Sequence, residues 1–182
     1  MLFRSMTVFV PCDPTEMEKA VFAAAEIDGP VYIRVARPVC EDITTEDTPF
    51  IPGKANILKD GNDVCIITMG LMVPIALKAA EMLEAEGISA AVVNMHTVKP
   101  IDAETILAMN EKCKGIVTAE EHSVIGGLGS AVAEVLAGHA GAKFERVGIQ
   151  DKFGKSGKPA ELFAAYGLTA ENIVEKCKAT LA

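Results

Sequence analysis

The stretch that most constrains this chain runs from Gly115 to Ala137. An apolar β-type run, Gly115 to Ala119, ends in Glu120, Glu121 and His122. Glycines follow at Gly126, Gly127 and Gly129. From about Ser130, the residues Val132, Val135 and Leu136 share one face of a helix. The spacing predicts a strand, a loop and a helix N-terminus. In parallel α/β sheets ligands gather at such junctions, and glycine lets backbone approach backbone or ligand closely. Tight packing of a helix on a sheet would use the same glycines.

Similar punctuation recurs along the chain. Thr7 to Val10 reads as a short strand. Asp13-Pro14-Thr15-Glu16 places an N-cap, a first-turn proline and an acid in order, so a helix starts there and runs to about Ile27. Val31 to Val35 is a second strand, giving a right-handed βαβ unit too small to stand alone. Residues 36–56 carry three prolines and no periodicity, which suits an interdomain linker. Ala55 to Leu58, with Lys59-Asp60-Gly61-Asn62 as a turn, predicts a hairpin into the buried strand Val64 to Met69. A helix closed by Gly87 follows, then a strand from Ser89 to Asn94. His96 to Pro100 reads as a loop, and Asp102 caps a helix stapled by Ile101 and Ile106. Phe144 to Ile149 is the last strand. A short helix near 160–166 precedes a terminal helix capped by Thr169, where Ile173, Cys177 and Leu181 share a face. The order predicts an α/β fold: a three-layer open sheet, mostly parallel with one antiparallel edge strand, and helices on both faces.

Composition excludes several functions. The net charge of −8 argues against nucleic acid and anionic membrane surfaces. No apolar run reaches the roughly 18 residues of a membrane span. Met1-Leu-Phe-Arg-Ser5 lacks a long apolar stretch after its charge, so no secretory leader is expected. Five cysteines, none close to another in sequence, read as reduced thiols of a cytosolic protein. Neither Cys-x-x-Cys nor a zinc-type histidine spacing occurs.

The chemistry-bearing residues are few. Gly127-Leu-Gly129 with Asp151 imitates a dinucleotide fingerprint, but Val132 replaces its third small residue. Two carboxylates also stand where a pyrophosphate would approach. His122, beside Glu120 and Glu121, suits a proton shuttle or an interface residue. His96 and His139 are lone histidines that suit surface or loop-bracing positions. Arg34 and Arg37 end the second strand, where a guanidinium can fork onto a phosphate or pair with Glu41 or Asp42 in the linker.

Five segments in order, Gly29 to Arg37, Asp63 to Gly70, Val98 to Asp102, Glu120 to Ser130 and Asp151-Lys-Phe-Gly-Lys-Ser-Gly157, resemble the C-terminal section of transketolases. The likeness extends to 1-deoxyxylulose-5-phosphate synthases and to β subunits of 2-oxo acid dehydrogenases. The Asp151 to Gly157 loop favours transketolase proper over those two. A non-catalytic α/β interaction module is the alternative from a different class. The resemblance implies a cytoplasmic, dimeric or otherwise homo-oligomeric enzyme of carbohydrate metabolism, of the pentose phosphate type. That enzyme moves a two-carbon ketol unit between sugar phosphates with thiamine diphosphate and Mg²⁺. It also implies the end of a pyrimidine-binding domain over 1–37, a linker over 38–56 and a C-terminal domain over 57–182. Arg37 would hold the substrate phosphate. Glu121, His122, Gly126, Gly127, Gly129, Asp151 and Ser156 become candidates for the active-site entrance or an interface. The family's Gly-Asp-Gly…Asn signature for metal and diphosphate is absent, and the Lys59 to Asn62 turn has the wrong context. No cofactor is therefore expected on this chain alone. It is expected to be inactive without an N-terminal, diphosphate-binding section or subunit, and no catalytic or metal-binding residue is assigned to it.

Overall fold

A computed structural model describes residues 5–182. Residues 1–4, on which the leader expectation and the start of the 1–37 unit fall, lie outside the described part. In chain order the elements are β1 (Thr7–Phe9), α1 (Pro14–Glu26), β2 (Val31–Ile33), β3 (Asn56–Lys59), β4 (Val64–Thr68), α2 (Met72–Ala85) and β5 (Ala90–Asn94). There follow β6 (Thr97–Lys99), α3 (Ala103–Lys112), β7 (Gly115–Ser123), α4 (Leu128–Leu136), β8 (Lys143–Ile149), α5 (Pro159–Ala165) and α6 (Ala170–Leu181).

The main sheet has the order β3-β5-β4-β7-β8 and is parallel except for β3. Its centre is β4, and every residue of β4 and β5 is buried. Alternation along a strand sends successive side chains to opposite faces. Val64 and Ile66 accordingly pack with α2 and α6, while Cys65 and Ile67 pack with α3 and α4. Both faces are thus covered, which is why these strands read as continuous apolar runs. The α/β expectation with helices on both faces holds. The predicted helix starts hold too: Asp13, Asp102 and Thr169 accept from the N–H groups of Glu16 (2.7 Å), Thr105 (3.1 Å) and Asn172 (3.3 Å).

Two strand expectations are corrected. The Lys59 to Asn62 turn does not make a hairpin. β3 lies antiparallel to β5, pairing Asn56 with Asn94 and Ile57 with Val93, because parallel β5 and β7 occupy both edges of β4. Residues 97–99 are a strand, not a loop. β6 pairs antiparallel with β1 and completes a second sheet of order β2-β1-β6. β1 has a single parallel neighbour, β2, within its own unit; the β-branched Thr97-Val98 pair supplies the other.

The non-periodic stretch after β2 is tied down by polar contacts. Lys19 Nζ donates to the carbonyls of Thr45 (2.7 Å), Glu46 (2.9 Å) and Thr48 (2.6 Å). The Asp13 carboxylate accepts from the N–H of Ile43 (2.8 Å), the N–H of Thr44 and the Thr44 hydroxyl (2.9 Å). Glu16 is buried and joins the two sheets. It accepts from the Cys12 N–H and from Asn94 Nδ2, both at 2.7 Å. His96 is not a surface residue. It is fully buried and stacked on Phe50 at 4.2 Å, with Phe50 edge-on to Phe9 at 5.1 Å. His139 is exposed, as expected.

Ile67→Ala should lower stability by about 2–5 kcal/mol through cavity formation. Ile57→Ala, half-exposed on the edge strand, should cost less than about 1 kcal/mol. Urea denaturation of both variants tests this, and equal costs would contradict a β4-centred core.

Burial lowers the His96 pKa to about 4, while Asp102 opposes the shift. The unfolded chain therefore takes up this proton first, and His96 favours folding fully only above its unfolded value. Its contribution, on the order of 3 kcal/mol, should fade as pH falls from about 6.5 toward about 4. Buried Glu16, whose carboxyl is raised mainly by desolvation, acts in the opposite direction, so a reference variant is needed. Denaturation at pH 7.5 and pH 5 should show a larger fall in the parent than in His96→Gln; an equal fall would refute it.

Candidate functional site

β7 extends through Glu120, Glu121 and His122 to Ser123, beyond the expected end at Ala119, and α4 starts at Leu128, two residues early. The reason is Glu120. Its buried carboxylate points back at the helix start and accepts the N–H groups of Leu128 (2.7 Å) and Gly129 (2.8 Å). Two of the helix's unpaired donors are thereby satisfied from within the chain. Desolvation raises the Glu120 pKa, and the two N–H donors, His122 and Arg146 pull against it. A side-chain carboxylate thus fills the place where a dinucleotide's pyrophosphate would sit.

The glycines serve this packing. A Cβ on Gly127 would lie 1.9 Å from Glu120 Oε2, and one on Gly129 would lie 2.7 Å from Arg146 Cδ. Gly126 has φ +74°, a left-handed conformation that glycine adopts without strain. His122 is exposed, with Nδ1 3.0 Å from the Ser123 carbonyl oxygen, and it does not face the cleft described next.

A cleft of about 760 Å³ opens between the end of β2 and the loop before α5. Arg34, Arg37, Glu121, Lys158 and Tyr166 contribute its polar lining, and Leu71, Phe163 and Leu168 its apolar wall. Arg34 Nη2 donates to the Glu121 carbonyl oxygen at 3.0 Å and lies 3.4 Å from its carboxylate. This pair ties the β2 end to the β7 end. Arg37 is exposed and lines the cleft. Asp151, with φ +46°, and Ser156 lie on the exposed 150–158 loop and do not line it. The loop is held by Tyr166, whose hydroxyl donates to the Phe153 carbonyl at 2.9 Å.

Of the residues singled out in the sequence, the structure thus brings Arg34, Arg37 and Glu121 to one cleft and leaves the others elsewhere. Nothing in the sequence links Lys158 to Arg37, more than a hundred residues away. Its signal was faint: an unburied basic residue between Gly157 and a helix-opening Pro159. Among the described residues no three His, Cys, Asp or Glu side chains are grouped to hold a metal ion. No described helix is long and apolar enough to cross a membrane. All five cysteines are free thiols.

Comparison with known proteins places this geometry. The model for "Transketolase, C-terminal domain" matches residues 53–173. The chain is 46% identical over 169 residues to the 6-deoxy-6-sulfo-D-fructose transketolase subunit SqwH of Clostridium sp. (strain MSTE9), covering 93% of this chain and 52% of that protein. It is 46% identical over 176 residues to a putative transketolase C-terminal section of Methanocaldococcus jannaschii, covering 94% and 54%. A 1-deoxy-D-xylulose-5-phosphate synthase of Symbiobacterium thermophilum is 36% identical over 180 residues, covering 97% and 28%. A solved "Split gene transketolase, inactive beta4 tetramer" superposes with TM-score 0.95 at 47% identity, over 99% of this chain and 59% of that one. The chain belongs to the transketolase C-terminal domain family, and it spans about half the length of the first two of these curated relatives.

Glu120→Ala should destabilise the chain by roughly 2–4 kcal/mol, since it strands two buried donors that bonded a carboxylate. Glu121→Ala, which removes a half-exposed pair, should cost under about 1 kcal/mol. Chemical denaturation compares them; a Glu120→Ala variant as stable as Glu121→Ala would undo the internal-cap assignment.

Proposed function

We propose that this chain is the C-terminal section of a thiamine-diphosphate-dependent transketolase that moves a two-carbon ketol unit between sugar phosphates. The observation that carries the reading is the superposition on the split-gene transketolase chain over nearly the whole length at 47% identity. The names of other relatives point the same way. One of the subunits of an apulose-4-phosphate transketolase from Phocaeicola vulgatus is 39% identical over 180 residues, covering 98% of this chain and 56% of that one. Names such as this and SqwH favour sugars with an anionic terminus.

The residues present do not fit the cofactor's diphosphate and Mg²⁺. Asp60 pairs with Lys112 at the surface, and Asp13 and Asp102 spend their oxygens on backbone and hydroxyl donors. Hard oxygen donors for Mg²⁺ must then come from another section or subunit. In this reading residues 1–37 end a pyrimidine-binding domain, 38–56 link, and 57–182 form the C-terminal domain. Arg37 holds the substrate phosphate. Glu121, His122, the three glycines, Asp151 and Ser156 shape the entrance or subunit contacts, with His122 outside the chemistry. The assembly is a homo-oligomer of such pairs in the cytoplasm, a location that the free thiols suit.

The test mixes this chain with a diphosphate-binding section, thiamine diphosphate and Mg²⁺, and follows ketol transfer. Turnover should require both chains. Arg37→Ala should lose about 30- to 1000-fold in kcat/KM, selectively on a phosphorylated donor. Turnover by this chain alone would refute the dependence on a partner, and no turnover from the pair with any ketose would refute the function.

A further inference from the structure

We propose that Lys158 is a specificity-determining residue for the anionic end of the substrate, gripping it together with Arg37 in the cleft that both line. The proposal rests on the transketolase reading and adds to it a contact from the far end of the chain. The cleft is positively charged although the chain as a whole carries −8. Its charged lining comprises three cations and one carboxylate. That carboxylate, Glu121, is already committed to Arg34. Glu161, in the first turn of α5, turns back to accept the Lys158 backbone N–H at 3.1 Å. Among the described residues, neither the Arg37 guanidinium nor the Lys158 ammonium has an intramolecular ion-pair partner. Two exposed cations without an ion-pair partner therefore line one cleft, whose apolar wall focuses their field on an incoming anion.

A tetrahedral oxyanion can engage both cations. The planar guanidinium can fork onto two of its oxygens, and the compact ammonium can take a third. Phosphate and sulfonate ends of a sugar share this chemistry. Arg34 is a positioning residue in this arrangement. Its bonds to Glu121 hold the β2 end, and hence Arg37, against the second domain.

The experiment has two arms. In the first, the assembled two-chain enzyme is assayed with a phosphorylated ketose, a sulfonated ketose and an uncharged ketose. Lys158→Gln should lose about tenfold more kcat/KM on the anionic donors than on the uncharged one, mainly through KM, and Lys158→Arg should restore most of the loss. A larger loss on one anionic donor than on the other identifies which group the cleft is built for. In the second arm, inorganic phosphate is titrated into this chain alone and backbone amide shifts around residues 34–38 and 157–159 are followed. Saturable shifts in the parent that weaken at least several-fold in Lys158→Gln support the site. Absence of shifts in the parent, or parent-like binding by Lys158→Gln, overturns it. Ketol transfer that fails with every donor overturns the transketolase reading instead, and the phosphate titration then decides this one on its own.

Discussion

The antiparallel pairing of β1 with β6 makes one body of two sheets. Val8 aligns with Lys99 and Phe9 with Thr97. Without that pairing the first βαβ unit would be two short strands and a helix, too little to bury a core. Two carboxylates at the start of α1 reinforce the join. Asp13 gathers Ile43 and Thr44 of the long connection, and Glu16 reaches Asn94 at the end of β5. Buried groups of this kind are stabilising only while every partner is present. Removing Asn94 would leave the buried Glu16 carboxylate short of a donor.

The cleft depends on this join. Arg34 and Arg37 follow the end of β2 in the small sheet, while Glu121 lies on β7 of the large sheet and Lys158 at the end of the loop that follows β8. Their spacing is set by how the two sheets are fastened, so the polar clasp and the cleft are one mechanical arrangement. Glu120 settles the other half of the site. By capping α4 from within, it removes the anion site that a strand–loop–helix junction would otherwise offer.

Much of the fold was legible because its signals are local. Asp13, Asp102 and Thr169 announce helix starts through short-range capping chemistry, and the unbroken apolar run from Val64 announces a doubly covered strand. The errors fell where long-range pairing decides. Asp60-Gly61 carries good hairpin chemistry, yet the hairpin was forbidden by two parallel neighbours claiming the edges of β4. Residues 97–99 were too short to register as a strand until a distant edge needed them. His96 gave no sign that Phe50 would stack on it. In the site, Arg37 stood out because it follows a strand end. Lys158 did not, since nothing local distinguishes a loop lysine that faces a cleft from one that faces water.

The placement of β6 also dictates an order of events during synthesis. β1 leaves the ribosome roughly ninety residues ahead of the strand that covers its open side. Local pairing with β2 can form early, but pairing across so long a separation must wait for loop closure. For that interval the nascent unit presents a bare strand edge, and the exposed Phe22 and Tyr32 side chains add to its apolar surface. Such edges invite pairing with other chains. Slow elongation between β2 and β6 would therefore lower the yield of native protein without altering any contact in the finished fold.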